Sequence, residues 1–348
     1  MKNGTLRIFL INFLCFLTIA AFFIKFLKIP STATAPGEEF FNFPAAFNNP
    51  KDEVSKNTPT EETENKKGNT TSTVSKTEKP VSAAAIKGNI ISQYNSPYTA
   101  ALSYDGVYIK NNTSLKINVK EFLEAKINFK IKKNDQPQVL ILHTHATETF
   151  MTENTDYFTE NFTSRSRDDS KNMIAVGKIV SKKLNDAGIK TLHATIQHDY
   201  PSYTKSYSRA AETINEYLKK YPSIKVVLDL HRDAVSKENG DKVKLVTEIN
   251  GKKAAQVMIV MGSQSGSVTN FPKWKENFKL AVRLHRQIEK NYPTLARPIM
   301  LMSKNYNESL TTGSLLIEFG TDVNTLEEAL YSAEMVGESI VKTLEELT

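Results

Sequence analysis

From Val139 onward the chain alternates short apolar runs with segments of helical period, and few folds accommodate that alternation. Val139 to Leu142 is one continuous apolar run, the pattern of a parallel strand buried on both faces. Residues 172–187 have a helical period, closed by Gly188. Residues 190–196 and 225–230 read as further strands on either side of a helix over 208–220. Residues 244–249 and 254–261 flank Asn250-Gly251, a strong hairpin signal. Residues 274–291 read as a long helix ended by Pro293, 314–319 as a strand stopped by Gly320, and 324–347 as a closing helix. The expected fold is α/β: a mixed, mainly parallel sheet with helices on both faces. A strand at 107–109, a turn at Asn111-Asn112 and a short helix make a lead-in element, residues 90–136, ahead of a core at 137–348.

The first part of the chain is of another kind. Ile8 to Ile24 is uncharged and mostly apolar, long enough to cross a bilayer as a helix. Lys2 and Arg7 precede it and Lys25 and Lys28 follow, so the charge rule nearly ties. Ala33-Thr-Ala35 resembles a signal-peptidase site, but the apolar run is longer than a usual cleaved segment. A single uncleaved transmembrane helix is therefore expected within residues 1–28. Residues 29–89 are rich in Thr, Lys, Glu, Asn, Ser and Pro. Such a stretch buries too little apolar surface to offset its ordering entropy and reads as a disordered tether.

The formal net charge of +7 suits a polyanionic partner such as a cell wall or an anionic membrane face. The lysines are dispersed and no nucleic-acid motif is present, so nucleic acid is set aside as a partner. The one cysteine, Cys15, lies in the apolar run. A metal site further along must therefore be built from His, Asp and Glu.

Three stretches place such groups at strand ends, where sites in open α/β sheets assemble: His143-Thr-His145-Ala-Thr-Glu148, Asp229-Leu-His231 and Leu316-Ile-Glu318-Phe-Gly320. His145 and Glu148 share a face if the segment turns helical, and His143 and His145 point the same way if it stays extended. His231 adds a second imidazole. Two imidazoles and a carboxylate with one open position make the catalytic zinc pattern. Asp168 or Asp169, before a helix, could replace Glu148 as third ligand. Glu318, a bare carboxylate in a buried strand, is costly without a partner and suits a general base. Gly320 would let the backbone pass close to a ligand. Asp229 is placed to orient an imidazole, and Asp233 and Arg232 follow. Residues 198–209 read as a substrate rim in which tyrosines pack on sugars or peptides and Arg209 meets a carboxylate.

The motifs His143 to Phe150, Lys171 to Gly177, His198 to Tyr203, Ser206 to Arg209, Asp229 to Asp233 and Glu318 to Gly320, taken in order, resemble the stage II sporulation protein P family over about residues 90–348. The resemblance implies an amidase-like fold and a zinc-dependent N-acetylmuramoyl-L-alanine amidase of peptidoglycan, with cleavage of peptide cross-links as a second activity. It implies a role in sporulation engulfment at the mother-cell membrane, with the catalytic domain facing the intermembrane space. Stage II sporulation proteins D and M are the implied partners. By position it makes Glu318 the catalytic glutamate and His231 a zinc ligand. His145 is preferred to His143 as the first ligand, and Glu148 to Asp168 or Asp169 as the third. The remaining site candidates are His143, Asp229, Arg232 and Arg209. Competing readings are a zinc endopeptidase restricted to cross-bridges and a wall-binding scaffold without metal.

Overall fold

The structure, a computed structural model, describes residues 86–348. The expected membrane helix and nearly all of the expected tether lie outside the described residues. The described elements run β1 (Ile86–Gln93), β2 (Leu102–Tyr104), β3 (Val107–Asn111), α1 (Val119–Glu124), β4 (Val139–Leu142), β5 (Tyr157–Thr159), α2 (Met173–Asp186), β6 (Thr191–His193) and α3 (Ser206–Lys220). They continue with β7 (Val226–Asp233), β8 (Lys242–Ile249), β9 (Lys252–Ala255), β10 (Val257–Gly262), α4 (Trp274–Asn291), β11 (Ile299–Met302), β12 (Ser314–Thr321) and α5 (Leu326–Glu345).

The main sheet has eight strands in the order β2-β3-β11-β10-β12-β7-β4-β6. Only β2 with β3 and β10 with β12 run antiparallel; the other five pairings are parallel. A smaller sheet, β5-β1-β8-β9, was not foreseen. Its β8–β9 hairpin turns at Asn250 and Gly251, both at positive φ, as the dipeptide predicts.

Strand pleating decides which residues meet the helices. In β4, Val139 and Ile141 join the large cluster packed under α1, α2, α4 and α5, while Leu140 and Leu142 join a smaller one under α3. In β7, Val226, Leu228 and Leu230 face the large cluster and Val227 the smaller. In β12, Leu315, Ile317 and Phe319 face the large cluster, and Leu316 faces the opposite side with Met258 and Tyr306. Side chains alternate along a strand, so Asp229, His231 and Glu318 share that opposite face. Helix α3 packs over β4 and β7 there, and the face continues past it over β12, β10 and β11.

Several expected boundaries move. Strand β7 extends to Asp233, so His231 lies inside a strand rather than at its end. Strand β12 runs through Gly320 to Thr321. Gly320 sits at φ +65°, where an added Cβ would lie 2.7 Å from Ala255 Cβ and from Asn324 Oδ1. Its glycine answers to packing against β9, not to a ligand. The apolar stretch 254–261 is broken at Gln256, whose side chain bonds Asn95 N, Asn95 O and Thr294 O. There the chain leaves the small sheet as β9 and enters the main sheet as β10. No strand was expected between residues 291 and 314, yet β11 lies there between β3 and β10.

Candidate active site

At the end of β4 the chain turns, and the two histidines of His143-Thr-His145 part. His143 keeps the pleat of Val139 and Ile141 and points toward α2. Its Nδ1 lies 2.9 Å from Leu230 O and its Nε2 2.8 Å from His193 Nε2. An added Cβ on Gly177 would lie 2.5 Å from both Nε2 atoms, so a residue without a side chain is required there. Burial, then His193, lowers the His143 pKa to about 3, and burial lowers that of His193 to about 4. Both rings are neutral and one donates to the other. The condition under which His143 and His145 would point the same way is not met: the strand ends at Leu142, and His145 lies in a turn.

That turn is closed by Glu148 N donating to His145 O at 3.2 Å, which puts His145 and Glu148 on the other side with His231. The His145 and His231 rings meet edge to face at 5.2 Å, and His231 Nδ1 is 3.8 Å from Glu148 Oε2. Glu148 Oε2 also accepts from Arg232 N at 3.1 Å. Glu318 is the cross-strand neighbour of His231 in the parallel β12–β7 pairing. Asp229 Oδ1 accepts from Thr144 N at 2.8 Å and Oδ2 from Thr144 Oγ1 at 2.6 Å, so the carboxylate is fixed. Its Oδ1 is 2.9 Å from His231 Nε2, but the ring N–H is not aligned with it, and the contact is one of charge.

The electrostatics follow from this crowding. Burial opposes charge on His231, but Asp229 outweighs it and raises the pKa to about 9. Burial and then His231, Arg165 and Arg232 hold His145 well below the ordinary imidazole range. Glu318 is raised by burial and by Asp233 and Glu148, against the pull of His231. Two buried polar atoms of this cluster have neither a hydrogen-bond nor an ion-pair partner, His145 Nδ1 and Glu318 Oε2, while His231 Nε2 has only its charge contact with Asp229. Orphaned atoms of this kind are uncommon and call for an ion, a water or a role in chemistry. The donor set, two imidazoles and a carboxylate, fits zinc. The His231–Glu148 separation is near the about 3.3 Å between two ligand atoms of a tetrahedral zinc site. Among the described residues no three such side chains already close around one point.

Asp168 and Asp169 are not brought to this cluster. Asp168 is exposed and turned to Ser170 and Lys171, which lower its pKa to about 2, and Asp169 accepts from Gln197. Arg209 donates to the carbonyls of His198, Ser202 and Thr204, which clamps the loop and leaves it unsuited to the carboxylate contact expected of it. Arg232 is buried and donates to the carbonyls of Asp233 and Ser164. Two of the rim tyrosines lie against the histidines, although Tyr200 and Tyr203 stay about half exposed. Tyr203 stacks on His145 at 4.4 Å and 14°, and Tyr207 lies parallel to His231 at 6.3 Å. Sequence reasoning missed Thr144 and Arg165, the latter in a stretch without periodicity. Beyond Glu318 a cleft of about 930 Å³ opens on Met258, Met300 and Met302, with Asp233 and Arg297 in its wall. Met258 is the cross-strand neighbour of Glu318.

The profile of the family described as stage II sporulation protein P matches residues 24–341. Stage II sporulation protein P of Bacillus subtilis (strain 168) is 30% identical over 205 residues, 56% of this chain and 48% of the relative, so the match spans about half the relative's length. Among solved structures, the N-acetylmuramoyl-L-alanine amidase AmiC2 of Nostoc punctiforme has a TM-score of 0.36 at 13% identity, covering 62% of this chain and 97% of its own. The N-acetylmuramoyl-L-alanine amidase of Clostridium difficile 630 has a TM-score of 0.36 at 17% identity, covering 61% and 97%. The CwlD amidase of Clostridioides difficile, in complex with the GerS lipoprotein, has a TM-score of 0.38 at 8% identity, covering 60% and 98%.

Proposed function

The chain belongs to the stage II sporulation protein P family, and we propose that it is a membrane-anchored, zinc-dependent peptidoglycan hydrolase that cleaves the N-acetylmuramoyl-L-alanine amide. The observation that carries this reading is the convergence, from three distant segments, of His145, His231 and Glu318 at one sheet face, where His145 Nδ1 and Glu318 Oε2 are buried without a hydrogen-bond partner. His145, His231 and Glu148 would hold the zinc ion. When bound, the ion supplies Lewis acidity, lowering the pKa of a water toward about 7 and polarising a carbonyl.

The protein's own groups do the rest. Glu318, kept basic enough by burial and by its acidic neighbours, takes a proton from water as the amide carbon is attacked. It returns that proton to the alanine nitrogen as the C–N bond breaks. Asp229, held by Thr144, keeps His231 oriented. Tyr203 stacks on His145 and Tyr207 lies alongside His231, which limits how the two imidazoles can turn. The cleft over Met258 gives room for an extended substrate. Residues 8–24 would anchor the chain in the mother-cell membrane, with stage II sporulation proteins D and M as partners by family.

Glu318→Gln is expected to keep zinc and fold and to lose release of stem peptide from purified sacculi by about a hundredfold or more. A near wild-type rate would remove Glu318 from this role. Mass spectrometry of the products separates the amidase, which leaves muramoyl lactate and free amino-terminal alanine, from an endopeptidase, which leaves uncrosslinked muropeptides.

A further inference from the structure

We propose that Arg165 is the receptor for a carboxylate of the substrate, holding an anionic peptide group beside the His145–His231–Glu318 cluster. This rests on the hydrolase reading and names part of what the site takes.

The loop carrying Arg165 is tied to the site through its backbone. Residue 165 forms an antiparallel bridge with Glu148, Thr149 N donates to Ser164 O at 3.0 Å, and Ser166 N donates to Thr147 O at 2.7 Å. The guanidinium is then fixed on two sides. Nη1 donates to the fully buried side chain of Asp199 and, at 3.2 Å, to Thr147 Oγ1. The group lies over the Tyr203 ring at 4.8 Å, and that ring stacks on His145 at 4.4 Å. One aromatic ring therefore separates the guanidinium from His145.

The opposite edge is available. The side chain is 37% exposed, and among the described residues no partner is found for Nε or Nη2. That edge is a planar pair of N–H donors, which matches the two oxygens of a carboxylate. The ordering that an arginine ordinarily loses entropy to achieve is already supplied by Asp199 and Tyr203. Asp199 also accepts from Thr147 N and Oγ1, so the ion pair is held rigidly and recognition at the outer edge rests on the geometry of its donors. Arg167, 3.8 Å over the half-exposed Tyr200, adds a second cation to the same loop region. Arg209 and Arg232, by contrast, give their guanidinium donors to carbonyls of the protein itself.

The test uses the full chain and two muramoyl tripeptides that differ only in whether the second residue carries a free α-carboxylate or its carboxamide. The expected result is a preference of about tenfold or more for the carboxylate form, expressed in KM. Arg165→Lys, which keeps the charge but not the fork, and Arg165→Gln should both collapse that ratio toward one. A wild-type ratio near one, or a ratio unchanged in both variants, overturns the proposal. So does a fall in kcat shared equally by the two peptides with a lowered Tm, the signature of a merely structural arginine. Calorimetric binding of the same peptides to wild type and Arg165→Lys reads recognition without turnover. Binding that prefers the carboxylate with no cleavage of either peptide would refute the hydrolase reading alone. Cleavage without preference would refute the role of Arg165 alone.

Discussion

Gly177→Ala is a sharp test of how the two strand-end histidines are sorted. Position 177 lies in helix α2, where alanine is favoured over glycine by about 1 kcal/mol, so propensity alone predicts stabilisation. The structure predicts the reverse. The new Cβ would lie 2.5 Å from His143 Nε2 and from His193 Nε2, at least about 1 Å inside contact distance. His143 is fully buried and anchored to Leu230 O, so relief must come from breaking its bond to His193 or shifting the helix. Overpacking costs about 1–3 kcal/mol and a buried hydrogen bond lost costs about 1–3 more. Less the propensity gain, the net destabilisation is about 1–5 kcal/mol. Urea unfolding monitored by circular dichroism gives the number. A neutral or stabilised Gly177→Ala protein would refute the reasoning. His193→Ala in the Gly177→Ala background makes room for the methyl group, so the double variant should be less destabilised than the sum of the singles.

Other outcomes follow from the same geometry. His145→Ala is expected to purify with little zinc, whereas His143→Ala keeps zinc and loses stability; metal analysis of both decides between them. Asp229→Asn should weaken zinc affinity about 10–100-fold in a chelator competition, because the contact that orients His231 is lost. Two histidines should each weaken the fold in mild acid. His285 is fully buried, its Nε2 against Arg297 O, and burial lowers its pKa to about 4; His193 is lowered to about 4 as well. The unfolded chain binds these protons from about pH 6.5 downward and the folded chain only near 4, so the part of the stability these two rings carry is full above 6.5 and is lost as pH falls toward 4. The slope is about 1.4 kcal/mol per pH unit per histidine. Buried Glu308 and Glu318 are raised and gain stability over the same window, so the effect is read as the difference in unfolding midpoint between wild type and His285→Gln at pH 7, 5.5 and 4.5, and a difference independent of pH would exclude it.

The alternation of apolar runs and helical segments made the core of the sheet legible, because each run had to be buried on both faces. The same property hid the sorting of His143 from His145. Where all of β4 is apolar, no polar face marks which side meets the helices, and the pleat became readable only once α2 was seen to lie over Val139 and Ile141. Glu318 and His231 were found because an ionisable group inside an apolar run is conspicuous. Arg165 was not, because its position depends on Asp199, 34 residues away in sequence, and on a bridge to Glu148 that no periodicity announces. The small sheet escaped for a related reason. Its β1–β8 pairing joins chain ends far apart, and the switch at Gln256 interrupts what reads as one strand.

The order of strands in the main sheet also sets a clock. Strand β12 lies between β10 and β7, both of which precede it in the chain. Until residue 321 is available those two neighbours have unpaired edges, and the sheet remains in two halves. Residue 318 lies on that last strand, so the three segments that meet at this face come together only once the chain extends through residue 321. Under the proposed hydrolase reading, no nascent chain ending before residue 318 would yet carry the group assigned to proton transfer.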